Sequence, residues 1–181
     1  MPVRKLILRS FQSPGDVVML TAAVRDLHLA HPGQFQTDVR TSADALWLHN
    51  PYITRLSEGQ PGVECIEMHY PLIHDSNQRP YHFIHGYTQY LEQQLGVRIP
   101  VNRFWGDVHL SADEKNSPPP GAELGINGPF LIMIAGGKHD FTAKWWNPES
   151  YQQVVDHFRN AKRGQVHLFN IGVGCRLHGM Q

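Results

Sequence analysis

Cysteine is scarce: Cys65 and Cys175 are the two in a chain of 181 residues. They lie far apart and fit neither a metal-ligand nor a redox spacing, so no disulfide framework is expected, and reduced thiols in a cytoplasmic protein are the simplest reading. Net charge is lacking too, with 16 lysines and arginines against 16 aspartates and glutamates. Such a balance supplies no overall field for nucleic acid or an anionic bilayer and favours small or neutral partners, while leaving room for a local basic patch. Long hydrophobic runs are missing as well. The apolar stretch Leu6-Ile7-Leu8 near the N-terminus is too short for a signal peptide and far too short to span a bilayer. It reads as a first buried strand. Beyond the consecutive Pro118, Pro119 and Pro120 there is no internal repeat or low-complexity tract.

What is present is a globular composition, 41% hydrophobic, long enough for one domain or one and a fraction. Lys5 to Phe11 reads as a parallel strand entering a turn at Gln12-Ser13-Pro14-Gly15. From Asp16 to Ala30 the apolar residues Val17, Leu20, Ala23, Val24 and Leu27 recur at helical spacing. His31-Pro32-Gly33 ends that helix, because proline disfavours helical geometry in the residue before it and glycine suits a C-terminal turn. Arg25 and Asp26 on this helix read as a solvated pair. Phe35 to Arg40 predicts a second strand, Ser42 to His49 a short helix closed by Asn50-Pro51, and Val63 to Met68 a third strand. The alternation of strand and helix implies a parallel sheet with right-handed crossovers. Tyr70 to Pro80, rich in turn formers, reads as a loop. Tyr81 to Leu95 reads as a second long helix ending at Gly96, and Arg103 to Leu110 as a late strand.

From Ser111 to Gly128 the composition shifts to charge, proline and glycine, as in a stiff exposed linker. Beyond it, Pro129 to Ala135 reads as an apolar strand, Asn147 onward as a helix with Pro148 in its first turn, and Val166 to Ile171 as another strand. The expected organisation is therefore an α/β domain over 1–111, a linker over 112–128 and a second α/β unit over 129–181. That last stretch has only about 50 residues where an independent domain normally has roughly 100 or more. It reads as the opening of a domain in a truncated chain.

In open α/β sheets, ligands bind outside the carboxyl ends of the strands. Two strand-to-helix turns, Ser13-Pro14-Gly15-Asp16 and Lys144-Trp145-Trp146-Asn147-Pro148, thus predict two halves of one site. The stretch from Ser13 through Asp16-Val17-Val18-Met19-Leu20-Thr21-Ala22-Ala23-Val24-Arg25-Asp26 to Leu27 resembles the first strand-turn-helix of glycosyltransferase family 9, which contains the ADP-heptose:lipopolysaccharide heptosyltransferases. Ile134-Ala135-Gly136-Gly137, followed by Lys144-Trp145-Trp146-Asn147-Pro148-Glu149, is similar to the glycine turn and Lys-x-Trp-Pro-type segment opening that family's donor domain. Here Lys144 is followed by two tryptophans and an asparagine before the proline, rather than by a single aromatic.

The resemblance implies a GT-B fold: a Rossmann-like N-terminal domain with a parallel sheet, on the acceptor side, plus the incomplete start of a second Rossmann-like, donor-side domain. It implies an inverting, metal-independent transfer of a sugar, heptose among the candidates, from a nucleoside-diphosphate sugar to a cell-envelope or protein-linked acceptor, as in lipopolysaccharide biosynthesis. The co-substrate would be ADP-linked by preference, with no further cofactor and no metal. Partners would be that donor and a glycan or glycolipid acceptor, not nucleic acid, with no transmembrane segment but room for peripheral membrane contact.

Sugar transfer needs a base near the acceptor hydroxyl and positive surroundings for the departing diphosphate. Asp16, in the first turn of a helix after a glycine-containing loop, suits the first role by that resemblance; a carboxylate there also complements the helix dipole or caps the helix. Lys144, just before a helix N-terminus, suits the second, with Gly136 and Gly137 allowing close backbone approach and Thr142 beside them. A solvated lysine and ordinary glycine turns are the plainer alternative. Ser13, Gly15, Ser76, Asn77, His82 and His85 are candidate acceptor contacts, since loops over a scaffold often carry recognition. His82 and His85, three apart among 12 histidines, also have one metal-compatible spacing but no third ligand. A non-catalytic α/β module that binds a glycan or partner is the alternative function, and another nucleotide-dependent α/β enzyme a weaker third. As a truncated chain it is expected to show little or no transfer.

Overall fold

The computed structural model describes residues 2–68, 78, 80–119, 121–126, 128, 130–133 and 146–160, and the backbone of 167–170. The chain divides into two compact units, Met1–Lys115 and Asn116–Gln181.

The first unit is built on a parallel three-stranded sheet in the order β2-β1-β3, with β1 at Arg4–Ser10, β2 at Phe35–Thr41 and β3 at Val63–Glu67. The run Leu6-Ile7-Leu8 occupies the central strand and is fully buried, as a parallel strand covered on both faces requires. Helix α1, Pro14–Ala30, crosses from β1 to β2, and α2, Phe83–Leu95, follows β3 and packs against α1. Register puts Leu6 beside Thr37 and Glu64, and Leu8 beside Val39 and Ile66. That face carries the core: Leu6, Leu8 and Ile66 meet Val17, Leu20, Val24 and Leu27 of α1 and Tyr87, Leu91 and Leu95 of α2. Each such buried aliphatic side chain contributes roughly 1.5–3 kcal/mol relative to exposure. Helix α2 stops at Gly96, whose φ of 68° is left-handed and whose N–H bonds to the Glu92 carbonyl at 2.8 Å.

Three sequence expectations change. Residues 42–49 form no α-helix; a single 3-10 turn spans Asp44–Trp47. Residues 103–110 pair with no strand and instead cross the outer side of α1 as an irregular strap. Arg25 and Asp26 are not solvated. They are 4% and 0% exposed, because the strap lies on them. Arg25 donates to the Arg103 and Trp105 carbonyls at 2.9 Å each, and Asp26 accepts from the backbone and side-chain N–H groups of Asn102 at 3.3 Å. Thr21 Oγ1 accepts the Asp107 N–H at 2.7 Å. Gly106 lies so close to α1 that a Cβ there would stand 2.4 Å from Val18 Cγ1.

The second unit contains a parallel pair, β4 at Phe130–Met133 and β5 at His167–Asn170, with helix α4, Pro148–Asn160, between them in the chain. Asn147 Oδ1 accepts the Ser150 N–H at 2.7 Å, capping α4, and Pro148 occupies its first position. A short helix, α3 at Ala112–Asn116, and a 3-10 turn at Ala122–Leu124 fall within the stretch read as linker. No helix among the described residues is long and apolar enough to cross a membrane.

Candidate functional site

The turn from β1 into α1 is held from two sides. Ser42 donates to the Gln12 carbonyl through Oγ and to the Ser10 carbonyl through its N–H, and Tyr87 Oη donates to Gln12 Oε1 at 2.8 Å. Helix α1 then begins with Ser13 as N-cap and Pro14 inside the first turn. Ser13 Oγ makes no capping bond; it donates to Asp16 Oδ2 at 2.6 Å. Asp16 is half-buried, and among the described residues Ser13 is the one hydrogen-bond partner of its side chain. Its carboxylate is therefore not consumed in capping. One carboxylate oxygen accepts from the Ser13 hydroxyl, and the other has no hydrogen-bond partner among the described residues. A Cβ built on Gly15 would meet no atom of the described residues within 4 Å.

The same carboxyl edge carries a charged hollow that the sequence reading missed. Strand register aligns Arg9 with Arg40 on one side and with Glu67 on the other, on the sheet face opposite the α1–α2 core. With Phe11, Thr41, Asp44 and Glu58 they line a cavity of about 350 Å³. Arg9 pairs with Glu58 at 2.6 Å and Glu67 at 3.1 Å. Arg40 pairs with fully buried Asp38 at 2.8 Å and donates to the Leu56 carbonyl at 2.7 Å. Burial alone pushes the Asp38 carboxyl up, but the Leu56 N–H, the Arg40 guanidinium and the Val39 N–H outweigh it and hold the group below its ordinary value. The signal was spread over three strands and becomes visible only once their register is known.

His82 is the N-cap of α2, its Nδ1 accepting the Ile84 N–H at 3.2 Å. His82 and His85 both set their rings edge-on to Phe104 of the strap, at centroid distances of 5.2 and 5.1 Å. The structure thus brings the two histidines together on an aromatic partner, and no hydrogen bond or ring contact among the described residues joins them to Asp16. Among those residues no group of three or more His, Cys, Asp or Glu side chains is disposed to hold a metal. Gly136, Gly137, Thr142, Lys144, Ser76 and Asn77 lie outside the described residues. In the second unit, Trp146 is 61% exposed and tilts against Tyr151 at 5.8 Å, just ahead of the capped start of α4.

No protein-family model matches the chain, and no curated protein matches it. Solved structures do. The glycosyl transferase family 9 protein from Veillonella parvula superposes on 93% of the chain with a TM-score of 0.63 at 14% identity, and the chain spans 63% of that protein. E. coli heptosyltransferase WaaC with ADP matches 91% of the chain with a TM-score of 0.59 at 12% identity, over 67% of its own length. The iron-containing dodecameric glycosyltransferase TibC of enterotoxigenic E. coli matches 93% of the chain with a TM-score of 0.59 at 17% identity, over 44% of its length. WaaC has also been seen with ADP-2-deoxy-2-fluoro heptose. At these identities the likeness establishes the fold: the chain has the GT-B glycosyltransferase architecture over part of the length of those proteins.

Proposed function

We propose that the protein carrying this chain is a glycosyltransferase family 9 enzyme that transfers a sugar of the heptose type from a nucleoside-diphosphate donor, ADP-linked by preference, to a glycan or glycolipid acceptor. The observation that carries the reading is Asp16: a half-buried carboxylate on the first turn of the first helix, hydrogen-bonded by Ser13 and preceded by a glycine whose Cβ position meets no described residue. The fold likeness to glycosyltransferases, one of them solved with ADP, supports the choice of chemistry and donor.

In this mechanism the acceptor hydroxyl gives its proton to Asp16, and its oxygen attacks the anomeric carbon from the side opposite the diphosphate. The bond from that carbon to the diphosphate oxygen breaks, and the nucleoside diphosphate departs. One displacement inverts the anomeric configuration. Ser13 holds the carboxylate in line, and Gly15 leaves room for the acceptor; Lys144, Thr142 and the backbone at Gly136 and Gly137 would stabilise the leaving diphosphate as anion-binding groups before a helix. The domain assignment follows the same reading, with 1–111 on the acceptor side and 129–181 on the donor side of the 112–128 connection.

The test is a transfer assay on the protein carrying this chain, offered ADP- and UDP-linked sugars with glycan acceptors, with the product anomer read by NMR. Transfer from the ADP-linked donor with inversion is expected. Retention of configuration, or hydrolysis and transfer absent with every donor, would sink the reading.

A further inference from the structure

The hollow at the carboxyl edge of the sheet has a charge pattern that constrains what it can hold. Two guanidiniums, Arg9 and Arg40, line it with three carboxylates, Asp44, Glu58 and Glu67. Neither guanidinium is unpartnered: Arg9 is bound by Glu58 and Glu67, and Arg40 by Asp38 and the Leu56 carbonyl. A bound anion would have to displace those carboxylates or lie against them, and like-charge juxtaposition in a binding site is unfavourable. The hollow is thus built against acidic ligands although arginines line it.

Its polar inventory suits a different guest. Carboxylate oxygens accept hydrogen bonds from hydroxyls, guanidinium N–H groups donate to them, and Thr41 Oγ1, which donates to Asp44 at 3.3 Å, can do both. Phe11 at the lip is 70% exposed and offers a flat apolar surface. A few convergent polar groups beside an aromatic wall, in a volume of about 350 Å³, fall at the small end of the roughly 300–1,000 Å³ typical of small-molecule sites. Phe11 belongs to the same short turn that leads into Ser13 and Asp16.

We infer that this hollow binds an uncharged sugar ring, and that the acceptor is recognised there by a neutral, hydroxyl-rich unit rather than by an acidic sugar or a phosphate. Arg9, Glu58, Glu67 and Asp44 would exchange hydrogen bonds with ring hydroxyls, and Phe11 would cover the apolar face of the ring. Its identification as the acceptor rests on the transferase reading above; the binding itself does not.

The test is an NMR titration of the 181-residue chain with neutral methyl glycosides of several hexoses and heptoses and with the matching uronic acid glycosides. Neutral glycosides are expected to bind at least about tenfold more tightly than their acidic counterparts, a conservative figure for a like-charge clash. Phe11→Ala, at an exposed position where folding is not at stake, should weaken the neutral ligands about tenfold or more by removing the apolar wall. The double change Glu58→Gln and Glu67→Gln should raise binding of the acidic glycosides by a similar factor, since it removes the opposing charges. Equal or tighter binding of the acidic series to the unaltered chain, no binding by any neutral glycoside, or indifference to Phe11→Ala would overturn the inference. Intact glycoside binding by the chain, with no transfer by the protein carrying it under any condition, would overturn the transferase reading alone.

Discussion

Arg25 and Asp26, neighbours on α1, grip one another in the interior, with Arg25 Nε and Nη2 at 3.0 and 3.2 Å from the two carboxylate oxygens of Asp26. The pair earns its place through a third party. Arg25 spends its remaining N–H groups on the carbonyls of Arg103 and Trp105, and Asp26 binds Asn102, so a segment with no strand partner is fixed by two side chains. Phe104, against which His82 and His85 stand, is carried by that segment.

Removing one member of this pair should be severe. Arg25→Met leaves a buried carboxylate without its cation, a change that typically costs about 3–5 kcal/mol. Urea unfolding of Arg25→Met should show a loss of that order, with the strap released. A loss no greater than that of an ordinary surface substitution would mean the pair is not what fixes the strap.

Gly106→Ala should destabilise by steric conflict. Its Cβ would stand 2.4 Å from Val18 Cγ1 and 3.0 Å from the Val18 carbonyl oxygen, inside van der Waals contact. Overpacking of this kind costs roughly 1–3 kcal/mol. Adding Val18→Ala removes the Cγ1 clash but not the carbonyl contact, so thermal melts should show partial rescue.

Stability should fall on mild acidification through His28. Burial holds its imidazole below the ordinary value, while its Nε2 lies 2.9 Å from Thr37 Oγ1 and its ring stacks on Tyr52. The folded value lies below the unfolded one, so the unfolded chain takes up the proton first. His28's contribution is whole above about pH 6.5 and is lost as the pH falls from there toward its lowered folded value. Melting curves between pH 8 and pH 5 should decline in that window, and His28→Gln should flatten the decline. Asp38, also lowered, has the same sign at a more acidic range, its contribution intact above about pH 3.9 and lost below it.

Much of the first unit could be read from local pattern. Leu6-Ile7-Leu8 announced a first buried strand, the spacing of Val17, Leu20, Val24 and Leu27 announced α1, and Gly96 marked the end of α2. The strap could not be read this way. Residues 103–110 look extended, but their backbone bonds go to side chains about 80 residues earlier in the chain, a relation no local spacing encodes. Arg25 and Asp26 were misjudged for the same reason: charge on a helix ordinarily faces water, and only the strap buries them. The placement of Asp16 in the first turn of α1 was legible because turn, glycine and carboxylate lie within four residues. The hollow was not, because Arg9, Arg40 and Glu67 become neighbours solely through the pairing of β1 with β2 and β3.

The central claim rests on the carboxylate that follows Gly15, and the most direct measurement is sugar transfer by the protein carrying this chain with Asp16→Asn. The substitution keeps shape and a hydrogen-bonding partner for Ser13 but cannot take up the acceptor proton. Transfer should fall roughly 100- to 10,000-fold, the usual contribution of a general base, with melting temperature and donor binding unchanged. Transfer at the unaltered rate in a folded Asp16→Asn protein would contradict the account.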